Sequence, residues 1–333
     1  MTKQRIAYID FMKGLCIILV VAFHINHSVI GDHLNGMLQQ FRMPMYFFLS
    51  GLFFKLYDGF WDFTRHKVNN IIIPTIFFLL IGFTYATLRG LAFNNFDFSA
   101  AFHSLPSNPI HLNAPLWFLI VLFEVNIIYY LLQKFLPRWL TIVSAILLSA
   151  IGYYIVDSGY YVQPYLDIAM IAMPFFVLGS ESRKNGLLTN GPKLWISCAF
   201  AIFTLIILYY FASEINMSHR VYPNYFLLYL LPCLAIMSLL FLCQYIKRPV
   251  PIISYVGRYS IIVLGTHYFV LFPIKALISS LLPPPTIDEI QLFLLTLLCT
   301  LALEFPIIYF LKKYLPRFTA QQEFFTTGWK IAK

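Results

Sequence analysis

The stretch Ile6–Ile30 constrains this chain more than any other feature of the sequence. It is long enough and apolar enough to cross a bilayer as one helix. It nevertheless contains four polar side chains, Asp10, Lys13, His24 and His27. On an α-helix, Lys13 and His24 lie about 20° apart around the axis and about 16 Å apart along it, with Asp10 within about 60° of both. Polar groups at membrane depth are costly and usually functional, so this helix face is a candidate site.

The composition predicts an all-α polytopic membrane protein, because 60% of the residues are hydrophobic and only 11% are charged. No polar stretch is long enough to fold alone, so residues 1–333 are interpreted as one integral membrane domain. The first apolar run lacks a small-residue cleavage site and is interpreted as a retained span. About ten spans are expected, at Tyr8–Ile30, Met43–Lys55, Ile71–Leu91, Leu116–Leu132, Leu140–Ile155, Ile168–Ser180, Leu194–Phe211, Tyr225–Tyr245, Ile261–Leu282 and Ile290–Leu311.

The net charge of +9 is explained by the membrane topology and does not indicate nucleic acid binding. Basic residues concentrate in the tails and in alternate connections, at Lys3, Arg5, Lys55, Arg65, Lys67, Lys134, Arg138, Arg183, Lys184, Lys193, Lys247, Arg248, Arg258, Lys312, Lys313, Arg317, Lys330 and Lys333. The opposite loops contain little beyond Arg42, Arg89 and Arg220. The positive-inside rule therefore predicts cytoplasmic termini, and an outer loop over Ala92–Pro115 that contains His103 and His111.

The five cysteines all lie in apolar runs. None has the spacing of metal ligands or of a disulfide framework, so neither kind of site is expected. Buried thiols usually behave as small hydrophobic groups.

The polar residues of the first span also have structural interpretations. Asp10 and Lys13 can neutralise each other as an i,i+3 pair, and Lys13 can extend to the cytoplasmic interface. The unperturbed pKa of an imidazole suits proton transfer near neutrality, which makes His24 a candidate base, but a neutral imidazole can also hydrogen-bond between helices. His27 is expected to face the outer headgroups.

The segment Phe41–Gly51 is the second unusual stretch. Arg42 lies on the side where basic residues are scarce, and it is either an interfacial anchor or a ligand for an anion or carbonyl beside His24. Pro44 suits the first turn of a helix, and Gly51 allows close helix packing.

Two further polar or aromatic residues lie in a later span. Trp117 is either a packed aromatic residue or the wall of a cavity. Glu124 lies two turns beyond it and either orients His24 or pairs with a tyrosine hydroxyl. Glu304, near the inner end of the last span, is expected to be structural.

Asp10, Lys13-Gly14 and His24 resemble the D-x-x-[R/K]-G…H signature of the membrane acyltransferase family 3, in which ten residues separate a basic residue from a histidine. Phe41–Gly51 resembles the next motif of that family, F-R-M-P-L-F-F-F-L-S-G. The resemblance extends to Pro115–Leu119, which is similar to the WFL segment, and to Gly257–Ser260 with His267, which is similar to the G-x-x-S…H stretch. Lysine at position 13 is a permitted variant, whereas the tyrosine that usually precedes the last histidine is missing.

The resemblance implies transfer of an acetyl group from acetyl-CoA to a hydroxyl group of a surface glycan or a lipid-linked sugar. It implies an enzyme of the cell (inner) membrane, with the lipid bilayer, acetyl-CoA and the acceptor as partners. His24 is then the general base, with Arg42 and Asp10 in the catalytic set, and an acyl-histidine intermediate is the other route. Lys13 and Trp117 are assigned to the donor, and Glu124 and His267 to the acceptor.

Two other functions remain open at this stage. The charged helix face also suits a proton-coupled transporter or exporter, although no inverted repeat is visible in the sequence. A structural partner in polysaccharide export is the third class, and it would not need His24.

Overall fold

The computed structural model describes residues 6–93, 112–283 and 286–326, and within them the fold is all-α, as predicted. The helices are α1 Ala7–Asn26, α2 Asp32–Leu52, α3 Phe60–Lys67, α4 Ile73–Phe93, α5 Trp117–Phe135, α6 Arg138–Asp157, α7 Leu166–Lys184, α8 Leu194–Phe211, α9 Tyr225–Cys243, α10 Pro251–Arg258, α11 Ser260–Leu281 and α12 Glu289–Tyr314. The predicted sites at His103 and His111 lie outside the described residues, as do Lys3, Arg5, Lys330 and Lys333 and the side chain of His27.

Within those ranges, eight helices are long and apolar enough to cross a membrane. They are Ala7–Asn26, Phe60–Gly90, Ala114–Phe135, Arg138–Asp157, Leu194–Phe211, Tyr225–Cys243, Ser260–Leu281 and Glu289–Tyr314. Each corresponds to a predicted span. The other two predicted spans, Met43–Lys55 and Ile168–Ser180, fall on α2 and α7. The total number of spans and the cytoplasmic position of the termini therefore stay predictions.

Helices α2 and α7 pack against each other with their backbones in close contact. A Cβ on Gly51 would overlap the carbonyl oxygen of Phe176, and one on Gly179 would overlap that of Phe48. Glycine permits this approach because it has no side chain between the two backbones. Most residues of both helices are buried inside the protein. A helix shielded in this way can carry polar residues that a lipid-facing helix cannot.

The prediction that Pro44 marks the start of a helix is wrong. Helix α2 begins at Asp32, after a turn in which Gly31 has a φ of 77°, and Pro44 lies inside it. Proline is tolerated inside membrane-protein helices because neighbouring helices and side chains can satisfy the backbone groups that it frees. The polar residues before Pro44 concealed the first half of this helix from hydropathy analysis.

The described residues fall into two compact units. The first lies within Met1–Lys55 and Glu124–Ser260, and the second within Leu56–Phe123 and Ile261–Lys333. In the second unit, α3 continues through a π-helical turn, Val68–Ile72, into α4. The buried Asn69 side chain in this turn donates to the Phe325 carbonyl oxygen at 2.9 Å and accepts from the Phe325 N–H at 2.8 Å. The interpretation as a single domain stays a prediction.

Candidate functional site

The segments around Asp10 and Gly257 are in direct backbone contact in the first unit. A Cβ on Gly257 would overlap the carbonyl oxygen of Asp10 and the backbone nitrogen of Gly14. A Cβ on Gly14 would overlap the carbonyl oxygen of Ile253. Helix α10 therefore packs against the turn of α1 that carries Asp10 and Lys13. Both contacts require glycine, since any other residue would separate the helices.

Helix α2 contacts the same turn of α1 through a buried tyrosine. The Tyr46 hydroxyl donates a hydrogen bond to the backbone carbonyl oxygen of Lys13 at 3.0 Å. The Ser260 side chain lies near this same hydroxyl. The Nζ atom of Lys13 lies 5.4 Å from the centroid of the Phe53 ring, at the end of α2. Three of the four motif segments thus meet around Lys13.

The His24 end of α1 is contacted by Arg42 from α2. The Arg42 guanidinium carbon lies 4.2 Å from the centroid of the Phe23 ring, a cation–π arrangement, and only 6% of Arg42 is exposed. The same Phe23 ring lies 5.3 Å from the half-buried His24 ring in an edge-to-face orientation. Arg42 and His24 therefore share an aromatic neighbour, which places the arginine in the region of the imidazole.

Glu124 lies near the start of α7. Its carboxylate lies close to the backbone of Tyr165 and to the carboxylate of Asp167. Among the described residues, Glu124 Oε2 is buried and has no hydrogen-bond partner. Its expected pairing, with His24 or with a tyrosine hydroxyl, therefore stays a prediction.

Asp167 and Arg220 form an ion pair that was not predicted from the sequence. The Arg220 guanidinium binds both oxygens of the fully buried Asp167 carboxylate, at 2.6 and 3.2 Å. It also lies 4.8 Å from the centroid of the Tyr161 ring and 5.4 Å from that of Tyr165. Burial raises the pKa of the neighbouring Tyr222 well above its usual value, so its hydroxyl stays neutral. The sequence signal for this cluster was an acidic residue at the start of an apolar run.

Trp117 and His267 belong to the second unit. Trp117 is 8% exposed and begins α5 with its ring edge-to-face against Phe118. His267 is fully buried, and its Nδ1 lies 2.7 Å from the Val263 carbonyl oxygen one turn earlier, so Nδ1 carries the donated proton. The adjacent Thr266 donates a hydrogen bond to Glu304 Oε2 at 2.8 Å.

Within the first unit, Asp10, Lys13 and His24 thus lie along α1, and Arg42 of α2 shares the Phe23 ring with His24. Glu124 belongs to the same unit and lies with Asp167. Within the part of the chain that the structure describes, no three histidine, cysteine or acidic side chains are grouped so as to bind a metal ion.

A family model described as an acyltransferase domain, that of the acyltransferase 3 family, matches residues 6–313, nearly the whole chain. No curated protein and no solved structure matches significantly.

Proposed function

Because this chain belongs to the acyltransferase 3 family, we propose that it is an integral-membrane acyltransferase that moves an acetyl group from cytoplasmic acetyl-CoA to an extracytoplasmic acceptor. The acceptor is a hydroxyl group of a glycan or of a lipid-linked sugar, reached at the outer side of the cell membrane. The observation that carries this proposal is the meeting of three motif segments around Lys13, on the helix that also presents His24.

The geometry of α1 matches the shape of the donor. Coenzyme A is too polar to cross the bilayer, but its phosphopantetheine arm is long and thin. Lys13 and His24 lie about 16 Å apart along the helix. Phosphates held near Lys13 would let the arm carry the thioester to His24, while the acceptor approaches from the outer side. A lysine ammonium group binds phosphate well because charge-assisted hydrogen bonds are about twice as strong as neutral ones.

In the proposed reaction, His24 accepts the proton of the acceptor hydroxyl as its oxygen attacks the thioester carbonyl. The new C–O bond forms, the C–S bond breaks, and the departing thiolate takes the proton from the imidazolium. Arg42, near His24, stabilises the negative oxygen of the tetrahedral intermediate. In the two-step alternative, the imidazole itself carries the acetyl group before the acceptor attacks.

The remaining predicted residues have supporting roles in this proposal. Asp10, one helical turn from Lys13, is assigned to the catalytic set with His24 and Arg42. Glu124 and His267 are assigned to the acceptor, and Trp117 to the wall around the donor. The unpartnered oxygen of Glu124 supports this assignment, since a buried carboxylate is stabilised by a hydroxyl donor such as that of a sugar.

The direct test uses purified protein in proteoliposomes with acetyl-CoA labelled in the acetyl group. An acyltransferase releases free coenzyme A thiol in step with label appearing in a membrane or glycan fraction. A transporter moves solute or protons without consuming acetyl-CoA, and a structural partner does neither. Mass spectrometry of surface glycans from a strain that lacks the protein would then identify the acceptor by its missing acetyl group.

A further inference from the structure

A cavity of about 430 Å³ opens at the N-terminal end of α1. Three separate chain segments line it. They are the start of α1 with Ala7 and Tyr8, the connection between α7 and α8 with Thr189 and Gly191, and the segment after α9 with Tyr245 and Lys247. The basic residues of both connections predict that this end of the first unit faces the cytoplasm.

Hydrogen bonds between the three segments form the walls of this cavity. The Tyr8 hydroxyl donates to the Leu188 carbonyl oxygen at 2.8 Å, and the Tyr245 hydroxyl donates to that of Pro192 at 2.8 Å. The Gln244 side chain hydrogen-bonds the Leu187 carbonyl oxygen. These bonds join the other two segments to the α7–α8 connection. The cavity is therefore preformed, as small-molecule sites usually are.

The lining combines aromatic rings with positive charge. Tyr8 and Tyr245 contribute rings, and the Lys247 ammonium lies 5.9 Å from the Tyr245 ring centroid. Lys247 Nζ donates one hydrogen bond to the Gln244 carbonyl oxygen at 2.9 Å, which leaves two donors of its ammonium group for a ligand. None of the described lining residues is acidic. This chemistry suits an aromatic base attached to phosphate.

The position of the cavity along α1 indicates which ligand it fits. Tyr8 precedes Lys13 by about 7.5 Å of helix, and His24 follows Lys13 by about 16 Å. Along α1 the order is thus the cavity, the Lys13 ammonium group, a long interval and then the His24 imidazole. Acyl-CoA has the same order of nucleotide, pyrophosphate, thin pantetheine arm and thioester.

We infer that this cavity binds the adenosine 3′,5′-bisphosphate part of the acyl donor, with Lys247 at a phosphate group. The inference rests on the proposed function and adds to it a recognition site remote from the transferred acyl group. Binding energy from such a remote group increases specificity for the donor. An anionic lipid headgroup offers the same phosphate without the base, and the test below separates the two ligands.

The first test compares donors with variants in the transfer assay. The donors are acetyl-CoA and acetyl-4′-phosphopantetheine, which lacks the nucleotide. Thr189→Trp places a bulky ring in the lining of the cavity. Thr189→Ala separates that effect from loss of the hydrogen bond that the Thr189 hydroxyl donates to the Gly186 carbonyl oxygen. We expect Thr189→Trp and Lys247→Ala each to raise the KM for acetyl-CoA by about 10-fold or more, and not to change it for the truncated donor. Lys193→Ala, a nearby exposed cation outside the lining, is the matched control.

The second test needs no acyl transfer. Adenosine 3′,5′-bisphosphate should bind the purified wild type in phosphatidylcholine nanodiscs, and Thr189→Trp should weaken that binding. Failure to bind, or equal effects of Thr189→Trp on both donors, would overturn the inference while leaving the acyltransferase proposal in place. Loss of nucleotide binding on adding phosphatidylglycerol to the nanodiscs would identify a lipid site instead. Nucleotide binding without any acetyl transfer would contradict the proposed function alone.

Discussion

Gly257 lies so close to Gly14 that a methyl group on either residue would overlap the backbone of the opposing helix. This contact joins the helix that carries Lys13 and His24 to a segment more than half the chain away in sequence. Since the Tyr46 hydroxyl contacts the Lys13 carbonyl oxygen from α2, the backbone of this turn is held from two directions. Small changes at the glycine contact should therefore move the Lys13 side chain.

Gly257→Ala should destabilise the protein and weaken acetyl-CoA binding. An added methyl group in a tightly packed interior typically costs about 1–3 kcal/mol, which exceeds the roughly 0.5–1 kcal/mol that alanine gains over glycine inside a helix. Thermal unfolding in detergent and the KM for acetyl-CoA measure the two effects. Gly36→Ala in α2 is the control, because the nearest atom outside its own helix, the Ala212 carbonyl oxygen, lies 4.0 Å from the new Cβ. Equal behaviour of the two variants would contradict the proposed contact.

His24→Ala should abolish acetyl transfer while the protein still inserts and binds acetyl-CoA. Loss of a general base typically lowers the rate by about 10²–10⁴-fold. Transfer and equilibrium binding of acetyl-CoA are measured on the same preparation. His33→Ala serves as the matched variant, since the exposed His33 ring packs on Tyr209 with 4.8 Å between ring centroids and has no assigned role. Near-normal turnover by folded His24→Ala protein would exclude His24 as the catalyst.

Lys13→Arg should retain substantial activity, whereas Lys13→Ala should raise the apparent constant for acetyl-CoA and hardly change that for the acceptor. Arginine keeps the positive charge and also recognises phosphate. Titration of acetyl-CoA with the single variants and with Asp10→Asn/Lys13→Ala separates donor binding from charge balance. If the double variant recovers full activity and donor affinity never changes, Lys13 is a structural charge.

Asp167→Ala should destabilise the protein by about 3–5 kcal/mol, because it leaves the Arg220 guanidinium without the carboxylate that it binds in a buried setting. Denaturant or thermal unfolding in detergent measures this change. The more exposed pair of Arg138 and Glu181 provides the comparison. Arg138→Ala should cost no more than about 1 kcal/mol. Similar losses for both pairs would show that burial of Asp167 does not determine its contribution.

Cysteine labelling tests the topology. In a variant without the five native cysteines, a single cysteine at Arg248 should react from the cytoplasmic side, and one near His103 should react from the outer side. The expectation follows from the asymmetry of basic residues between alternate connections. The reverse labelling would overturn both the orientation and the transfer of acetyl groups across the membrane.

The sequence alone determined where the lipid-facing helices lie. The predicted span Leu194–Phe211 coincides with α8 residue for residue, because its apolar run faces lipid and is visible without any tertiary contact. In α2 the sequence located only the second half. Its first half carries Gln39 and Gln40. The Gln39 side chain accepts a hydrogen bond from the Ile215 N–H, and the Gln40 side chain donates one to the Ser213 carbonyl oxygen. Because the partners come from a distant segment, hydropathy could not reveal that this half is helical.

For the candidate site too, some features could be predicted from the sequence, whereas others were decided only by the tertiary structure. The spacing of Lys13 and His24 on one helix face follows from local helix geometry, so the sequence could predict it. The contact of Gly257 with Gly14 and the pairing of Asp167 with Arg220 were decided only by the tertiary structure. Each joins residues on different elements whose approach depends on how complete helices pack. Hydrophobic periodicity records which residues avoid water or face lipid, but it does not record which distant backbone lies against them.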